Sequence, residues 1–211
     1  MEQKMIKLQS GRAPVSLRVY PGHFATSHSH INYYIDITTL KTRQSEAAEV
    51  AKHLVSLYHA STVVDTIVCV DGTEVIGAYL AEELSRAGFS SINAHQTIYV
   101  ITPEQAGGQM IFRDNLQPML AGKHVLLLMA SVTTGKTVAR VRECVEYYGG
   151  IVQGAAAVFS AVKEADGLEI NSLFRSEDIP DYRAFEHREC PYCKAGEKLE
   201  AIVNSYGYSK L

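Results

Sequence analysis

HVLLLMASVTTGKTVARVRECVEYY, residues 124–148, decides the fold of this chain. Its first six residues, His124 to Met129, are mostly branched aliphatics and too few for a helix. They read as a buried strand of a parallel sheet. Small and hydroxyl-bearing residues follow from Ala130 to Thr137. Val138, Val141, Val145 and Tyr148 then recur at helical spacing, and Gly149-Gly150 closes the helix. A strand, a tight loop and a helix N-terminus in that order make an anion site. The loop's N–H groups converge, the helix dipole adds partial positive charge, and threonine hydroxyls donate from the side. Thr133-Thr134-Gly135 with Thr137 is more than an ordinary βα turn needs.

Two phosphate-binding patterns fit this loop in part. Ala130-x4-Gly135-Lys136-Thr137 satisfies a relaxed P-loop with Ala in its first position. Against that pattern, the loop sits late in the chain, and the strand read at Ile151 to Phe159 ends without an Asp to hold Mg²⁺. The second pattern starts at the aliphatic run and continues through Met129-Ala130 and Ser131-Val132 to Thr133-Thr134-Gly135-Lys136-Thr137. It resembles the ribose-phosphate loop of type I phosphoribosyltransferases. The resemblance implies that Ser131, Val132, Thr133, Thr134, Gly135, Lys136 and Thr137 grip the 5′-phosphate of phosphoribosyl pyrophosphate. The chain departs from the family at Met129 and Ala130, where two adjacent acidic residues normally address the ribose hydroxyls.

The composition sets the wider frame. The 211 residues are 46% hydrophobic and 20% charged, with a formal net charge of −3. That suits one domain with a substantial core, residues 1–211, and gives no bulk charge for nucleic acid. No apolar run reaches the length of a membrane span, and the first residues lack a signal peptide's apolar core, so a cytoplasmic location is expected. Cys69, Cys144, Cys190 and Cys193 fit reduced thiols rather than a disulfide framework, with Cys69 and Cys144 packed in the core.

The segments before the central stretch extend the resemblance. Val15 to Tyr20 alternates as a strand, and Pro21-Gly22-His23-Phe24 is expected to break it. The run from Gly22 to Asp36 resembles the N-terminal hairpin of orotate phosphoribosyltransferases, a hood at about 15–40 that covers the base. It implies that Phe24 packs near the base and that His28 and Tyr34 belong to the hood site. Ser45 to His59 reads as a helix with Ala47, Val50, Ala51, Leu54, Val55 and Tyr58 on one face. Thr66 to Val70 is a strand, and Val75 to Ala87 a helix stopped by Gly88. Asp71, Gly72, Thr73 and Glu74 between them stand where the family binds pyrophosphate. Their acidity suits Mg²⁺, a ribose hydroxyl or a solvated helix start equally. Thr97 to Thr102 is a strand. Glu104 to Asp114 is too irregular for an element and resembles the family's mobile loop, which makes Arg113 the cation for the leaving pyrophosphate.

Ile151 to Phe159 and Ile170 to Phe174 are expected as further strands, the latter at the sheet edge. The tail, 187–211, carries Cys190-Pro-Tyr-Cys193 and then an expected helix from Glu197 to Ser205. One Cys-x-x-Cys is half a zinc site, completed only if His187 or a dimer mate supplies ligands. Structural thiols and a redox pair are the alternatives, and His23, His28 and His30 lack a metal-ligand spacing.

Together these parts resemble the orotate-type phosphoribosyltransferases across nearly the whole chain. The resemblance implies an α/β fold with a central parallel sheet flanked by helices and a small hood. It also implies a homodimer and a pyrimidine-biosynthesis enzyme that moves phosphoribose from phosphoribosyl pyrophosphate, with Mg²⁺, to a nucleobase, orotate first. A catalytically impaired member that binds a nucleotide or sugar phosphate as a sensor is the alternative.

Overall fold

In the computed structural model the aliphatic run continues three residues past Met129, and its two faces serve different layers. The structure describes residues 5–11, 14–58, 62–86, 92–94 and 96–211. Its first half contains β1 (Ile6–Gln9), β2 (Ser16–Ala25), β3 (His30–Asp36), α1 (Thr38–Thr42), α2 (Gln44–Val55), β4 (Thr66–Cys69) and α3 (Glu74–Ser85). Then come β5 (Tyr99–Ile101), β6 (Glu104–Ala106), β7 (Gln109–Ile111), β8 (His124–Val132), α4 (Lys136–Tyr147) and β9 (Ile151–Ser160). The chain ends through β10 (Glu164–Ala165), β11 (Leu168–Arg175), β12 (Ala184–Phe185), α5 (Pro191–Lys194), β13 (Ala201–Asn204) and β14 (Gly207–Lys210).

The central sheet has the order β10-β11-β9-β8-β4-β5. β8 runs parallel to both β4 and β9, and β5 and β11 extend the parallel set. Side chains alternate across β8. Leu126, Leu128 and Ala130 pack in one core with α2 and α3 residues such as Val50, Leu54, Ile76 and Leu80. Val125, Leu127 and Met129 pack in the other with Val138, Val141 and Val145 of α4. A strand covered on both faces needs an unbroken apolar run, and this is why the five apolar residues Val125 to Met129 signal a parallel sheet rather than an exposed hairpin.

The second sheet is the hood, in the order β12-β3-β2-β13-β14, with β1 added beside β2. Its core is small: Phe24, Ile31, Tyr34, Ala201 and Val203.

Four sequence expectations change here. β2 does not stop at Pro21. It runs on through Phe24 because a register shift between Pro21 and Phe24 absorbs the proline as a bulge. The stretch from Glu104 is a β6–β7 hairpin, turned by Gly107 and Gly108, both at positive φ. β11 is not the edge, since β10 folds back antiparallel against it. The expected helix at Glu197 to Ser205 is instead the hairpin β13–β14. There Ala201 and Val203 are buried while Ile202 and Asn204 are exposed, a period of two that a helix cannot satisfy. The expected helix ends at His59, Ala87 and Gly88 lie outside the described residues. No helix among the described residues is long and apolar enough to cross a membrane.

One buried contact ties the helical layer to the sheet. The Tyr58 hydroxyl donates to the Ala155 carbonyl of β9 at 2.9 Å, and burial pushes its phenol far above the ordinary range. Tyr58→Phe leaves that contact unmade. The expected loss is about 1–2 kcal/mol, read as a lower urea midpoint with an unchanged m value.

Candidate functional site

Residues Ser131 to Thr137 sit where the sequence places them, at the C-terminal end of β8 and the start of α4. Gly135 is the N-cap of that helix, in the left-handed conformation with φ 78°. A Cβ there would also lie 2.5 Å from the Ala165 Cβ, so the turn requires glycine on two counts. All seven residues from Ser131 to Thr137 line a cleft between the central sheet and the hood. Ligands of open α/β sheets bind in this position, outside the carboxyl ends of the strands.

The hood supplies the opposite wall. Thr26 folds the β2–β3 turn, its Oγ1 accepting the N–H groups of His28 at 3.2 Å and Ser29 at 2.9 Å. This pre-forms the turn and presents Ser27 and His28 to the cleft beside Ile31 and Tyr34. Burial drives the Tyr34 phenol well above its ordinary range, with Asp36 adding to the effect. Phe24 does not reach the ligand space. It is fully buried in the hood core, 6.2 Å from the Tyr34 ring, and supports Tyr34 from behind.

The 71–74 loop divides. Asp71 (φ 65°) and Gly72 (φ 75°) are consecutive left-handed residues, and Asp71 lines the cleft. Its carboxylate accepts a hydrogen bond from the Ser205 hydroxyl at 2.9 Å. Burial raises the Asp71 pKa, while the Ser205 bond and the Lys41 charge oppose that rise. Thr73 is an interior residue whose hydroxyl lies 2.9 Å from the Val70 carbonyl and 3.1 Å from that of Leu128. Glu74 accepts from the Thr102 hydroxyl at 3.0 Å. Neither Gly72, Thr73 nor Glu74 lines the cleft.

Arg113 is also placed elsewhere. It forms a two-pronged ion pair with Glu104, both contacts at 2.7 Å, which closes the exposed β6–β7 hairpin on itself. The guanidinium is outside the cleft. Met129 and Ala130 are fully buried on opposite faces of β8 and leave no acidic group there. Among the described residues, Asp71 is the acidic side chain lining the cleft.

Four residues of this region escape a sequence reading. Lys41, in a short helix, is only 5% exposed, and its ammonium donates to the carbonyls of Asp71 and, at 2.6 Å, Ser205. Desolvation lowers its pKa, opposed by Asp71 and Glu74. It thereby fixes the 71–72 turn and the tail hairpin to each other. Asn204 and Ser205 arrive in the cleft from that hairpin. Their signal was the turn-forming run Asn204-Ser205-Tyr206-Gly207 after an alternating strand. Tyr182 also lines the cleft, its buried hydroxyl next to Thr133 of the loop. Burial pushes that phenol to about 12.

The tail cysteines occupy a second location. Cys190 and Cys193 lie against His23 and His30 of the hood, the four donor atoms all within 4.8 Å of one another. Two hood histidines, and not His187, thus stand beside the Cys-x-x-Cys pair. The sequence could not show this, because the partners are more than 160 residues away in the chain. His28, grouped with the other histidines by sequence, faces the cleft instead.

Comparison with known proteins agrees with this architecture. No family model matches the chain. Orotate phosphoribosyltransferase of Campylobacter jejuni subsp. jejuni is 22% identical over 189 residues, covering 84% of this chain and 88% of that protein. Among solved structures, Mycobacterium tuberculosis H37Rv orotate phosphoribosyltransferase aligns with a TM-score of 0.52 at 19% identity, covering 77% of this chain and 91% of that one. Adenine phosphoribosyltransferase from Thermoanaerobacter pseudethanolicus aligns with a TM-score of 0.53 at 17% identity, covering 82% and 96%. The chain has the type I phosphoribosyltransferase fold, with weak sequence similarity to the orotate enzymes.

Proposed function

We propose that this protein is an orotate-type phosphoribosyltransferase that transfers phosphoribose from phosphoribosyl pyrophosphate to a nucleobase nitrogen, orotate being the first acceptor to test. The observation that carries the reading is the convergence of the 131–137 loop, Asp71 and the hood turn on one cleft. The loop holds the 5′-phosphate through N–H groups and hydroxyls at the start of α4. Tyr182, beside Thr133, borders the same ligand space. The hood covers the base, with His28 and Tyr34 at its contact face.

In the transfer, the bond from C1′ to the pyrophosphate oxygen breaks and a bond from C1′ to the base nitrogen forms. The base nitrogen releases its proton to solvent and pyrophosphate leaves. The hood excludes water from the cationic sugar centre. Asp71 with the Ser205 hydroxyl beside it fits Mg²⁺, which favours hard oxygen donors, takes few from the protein and keeps substrate phosphates and waters for the rest. Bound there with the substrate, the ion would neutralise charge on the departing pyrophosphate. Asp71 replaces in function, though not in position, the acidic pair absent at Met129 and Ala130.

Asp71→Asn tests this, because asparagine tolerates the left-handed backbone and keeps the shape. The expected result is a fall of about a hundredfold in Mg²⁺-dependent pyrophosphate release with orotate. Ribose 5-phosphate affinity should change little. Wild-type protein that releases no pyrophosphate with orotate or other nucleobases would overturn transfer. An unimpaired Asp71→Asn variant would remove Asp71 from the site.

A further inference from the structure

We propose that His23, His30, Cys190 and Cys193 form a tetrahedral zinc site that bolts the C-terminal tail to the hood. The site lies outside the cleft, and the inference stands independently of the transferase reading.

The first argument is the geometry of the donors. A tetrahedral ion with Zn–N near 2.0 Å and Zn–S near 2.3 Å sets its ligands about 3.3 Å apart for two nitrogens and about 3.5 Å apart for nitrogen and sulfur. Here His23 Nε2 lies 3.2 Å from His30 Nδ1. His23 Nε2 lies 3.3 Å from Cys190 Sγ and 3.6 Å from Cys193 Sγ. Cys193 Sγ lies 3.3 Å from His30 Nδ1. Four of the six donor spacings thus match those that a common central ion imposes, and all four donors, from three chain segments, lie within 4.8 Å of one another. Neither cysteine is in a disulfide.

The second argument is the shell around them. His23 Nδ1 lies 3.2 Å from the Glu197 carbonyl, a contact in which the ring N–H donates. That bond fixes the tautomer and turns the Nε2 lone pair toward the thiols, the usual arrangement behind a metal-ligating histidine. Tyr192 stacks on the His23 ring at 5.2 Å, and His187 packs edge-on to His30 at 4.8 Å. His187 is therefore a wall of the site and not a ligand. A set of two thiolates and two imidazoles in tetrahedral array selects zinc over the harder divalent ions.

The site also explains why the tail lies where it does. Immediately after it, β13 enters the hood sheet parallel to β2, with Ala201 beside Phe24. The hairpin then carries Asn204 and Ser205 into the cleft. Fastening the tail at Cys190 and Cys193 closes a loop of more than 160 residues and removes that ordering cost from the docking of β13.

Elemental analysis of the full chain, purified with zinc and dialysed against metal-free buffer, tests the proposal. The expected content is about one zinc per chain. Cys193→Ser, at an exposed position, should retain at least tenfold less, while Cys144→Ser should match the wild type. Replacing zinc by cobalt should produce the visible bands of tetrahedral Co²⁺ and thiolate-to-metal charge transfer, which tests the wild-type protein even if the variant fails to fold. Zinc below a tenth of an equivalent in the wild type, undiminished zinc in Cys193→Ser, or a Cys190–Cys193 disulfide in the intact protein would each overturn the site.

Discussion

Met129→Asp should destabilise this protein strongly instead of adding an acidic group to the cleft. The variant restores an acidic residue at a position where the transferases that this chain resembles carry one, so a reading by motif alone expects a gain of activity. The packing dictates the reverse. Met129 is fully buried and shares a core with Val68, Val125, Leu127 and Val138. A carboxylate there loses its water and finds neither a cation nor a donor. The cost is about 3–5 kcal/mol whether it stays charged or is held protonated, a large part of the roughly 5–15 kcal/mol that stabilises a typical domain. Met129→Leu, which conserves volume, should cost less than about 1.5 kcal/mol. Urea unfolding of the pair provides the test. If Met129→Asp is as stable as Met129→Leu, the side chain reaches solvent or the cleft, and the replacement role given to Asp71 fails.

Gly135→Ala should displace the 131–137 loop and weaken phosphate binding. The left-handed backbone costs alanine about 1–2 kcal/mol, and the new methyl group would meet the Ala165 Cβ at 2.5 Å, adding an overpacking cost of about 1–3 kcal/mol. Ala165 is held by the β10–β11 pairing and cannot retreat freely. The loop must shift instead, and its N–H groups then no longer converge. Ribose 5-phosphate should bind more than tenfold more weakly by calorimetry. Gly167→Ala separates the two causes, since Gly167 has φ 72° but open space around its missing Cβ. That variant should lose some stability and keep its phosphate affinity. Equal phosphate affinity in both variants would show that the 131–137 loop is not the anion site.

These expectations rest on features that the sequence revealed unevenly, for physical reasons. The parallel sheet was legible because burial on both faces of β8 and β9 demands unbroken apolar runs. The 131–137 loop was legible as a cleft-lining strand-to-helix turn because its pattern is local, seven consecutive residues between a strand and a helix. The hood was legible as a hairpin, but not its bulge, since a proline in β2 is tolerated only through a register shift that local turn chemistry does not announce. The tail was misread as a helix because a four-residue strand gives just two inward positions, Ala201 and Val203. That error concealed Ser205 and Asn204 from the cleft. Lys41 was hidden for another reason: a charged residue in a short helix reads as solvated, and its burial depends on carbonyls 30 and 164 residues away. The same non-locality separated His23 and His30 from Cys190 and Cys193. Arg113 shows the converse. A cation in the right loop by sequence order is paired with Glu104 in the folded chain.

On the proposed reading, one cleft holds both the phosphate and the pyrophosphate ends of phosphoribosyl pyrophosphate. Calorimetric titration of the full chain with that compound, with and without Mg²⁺, against ribose 5-phosphate measures it most directly. Phosphoribosyl pyrophosphate should bind with Mg²⁺ at least tenfold more tightly than ribose 5-phosphate. Equal binding of the two sugars, or binding of neither, would contradict it.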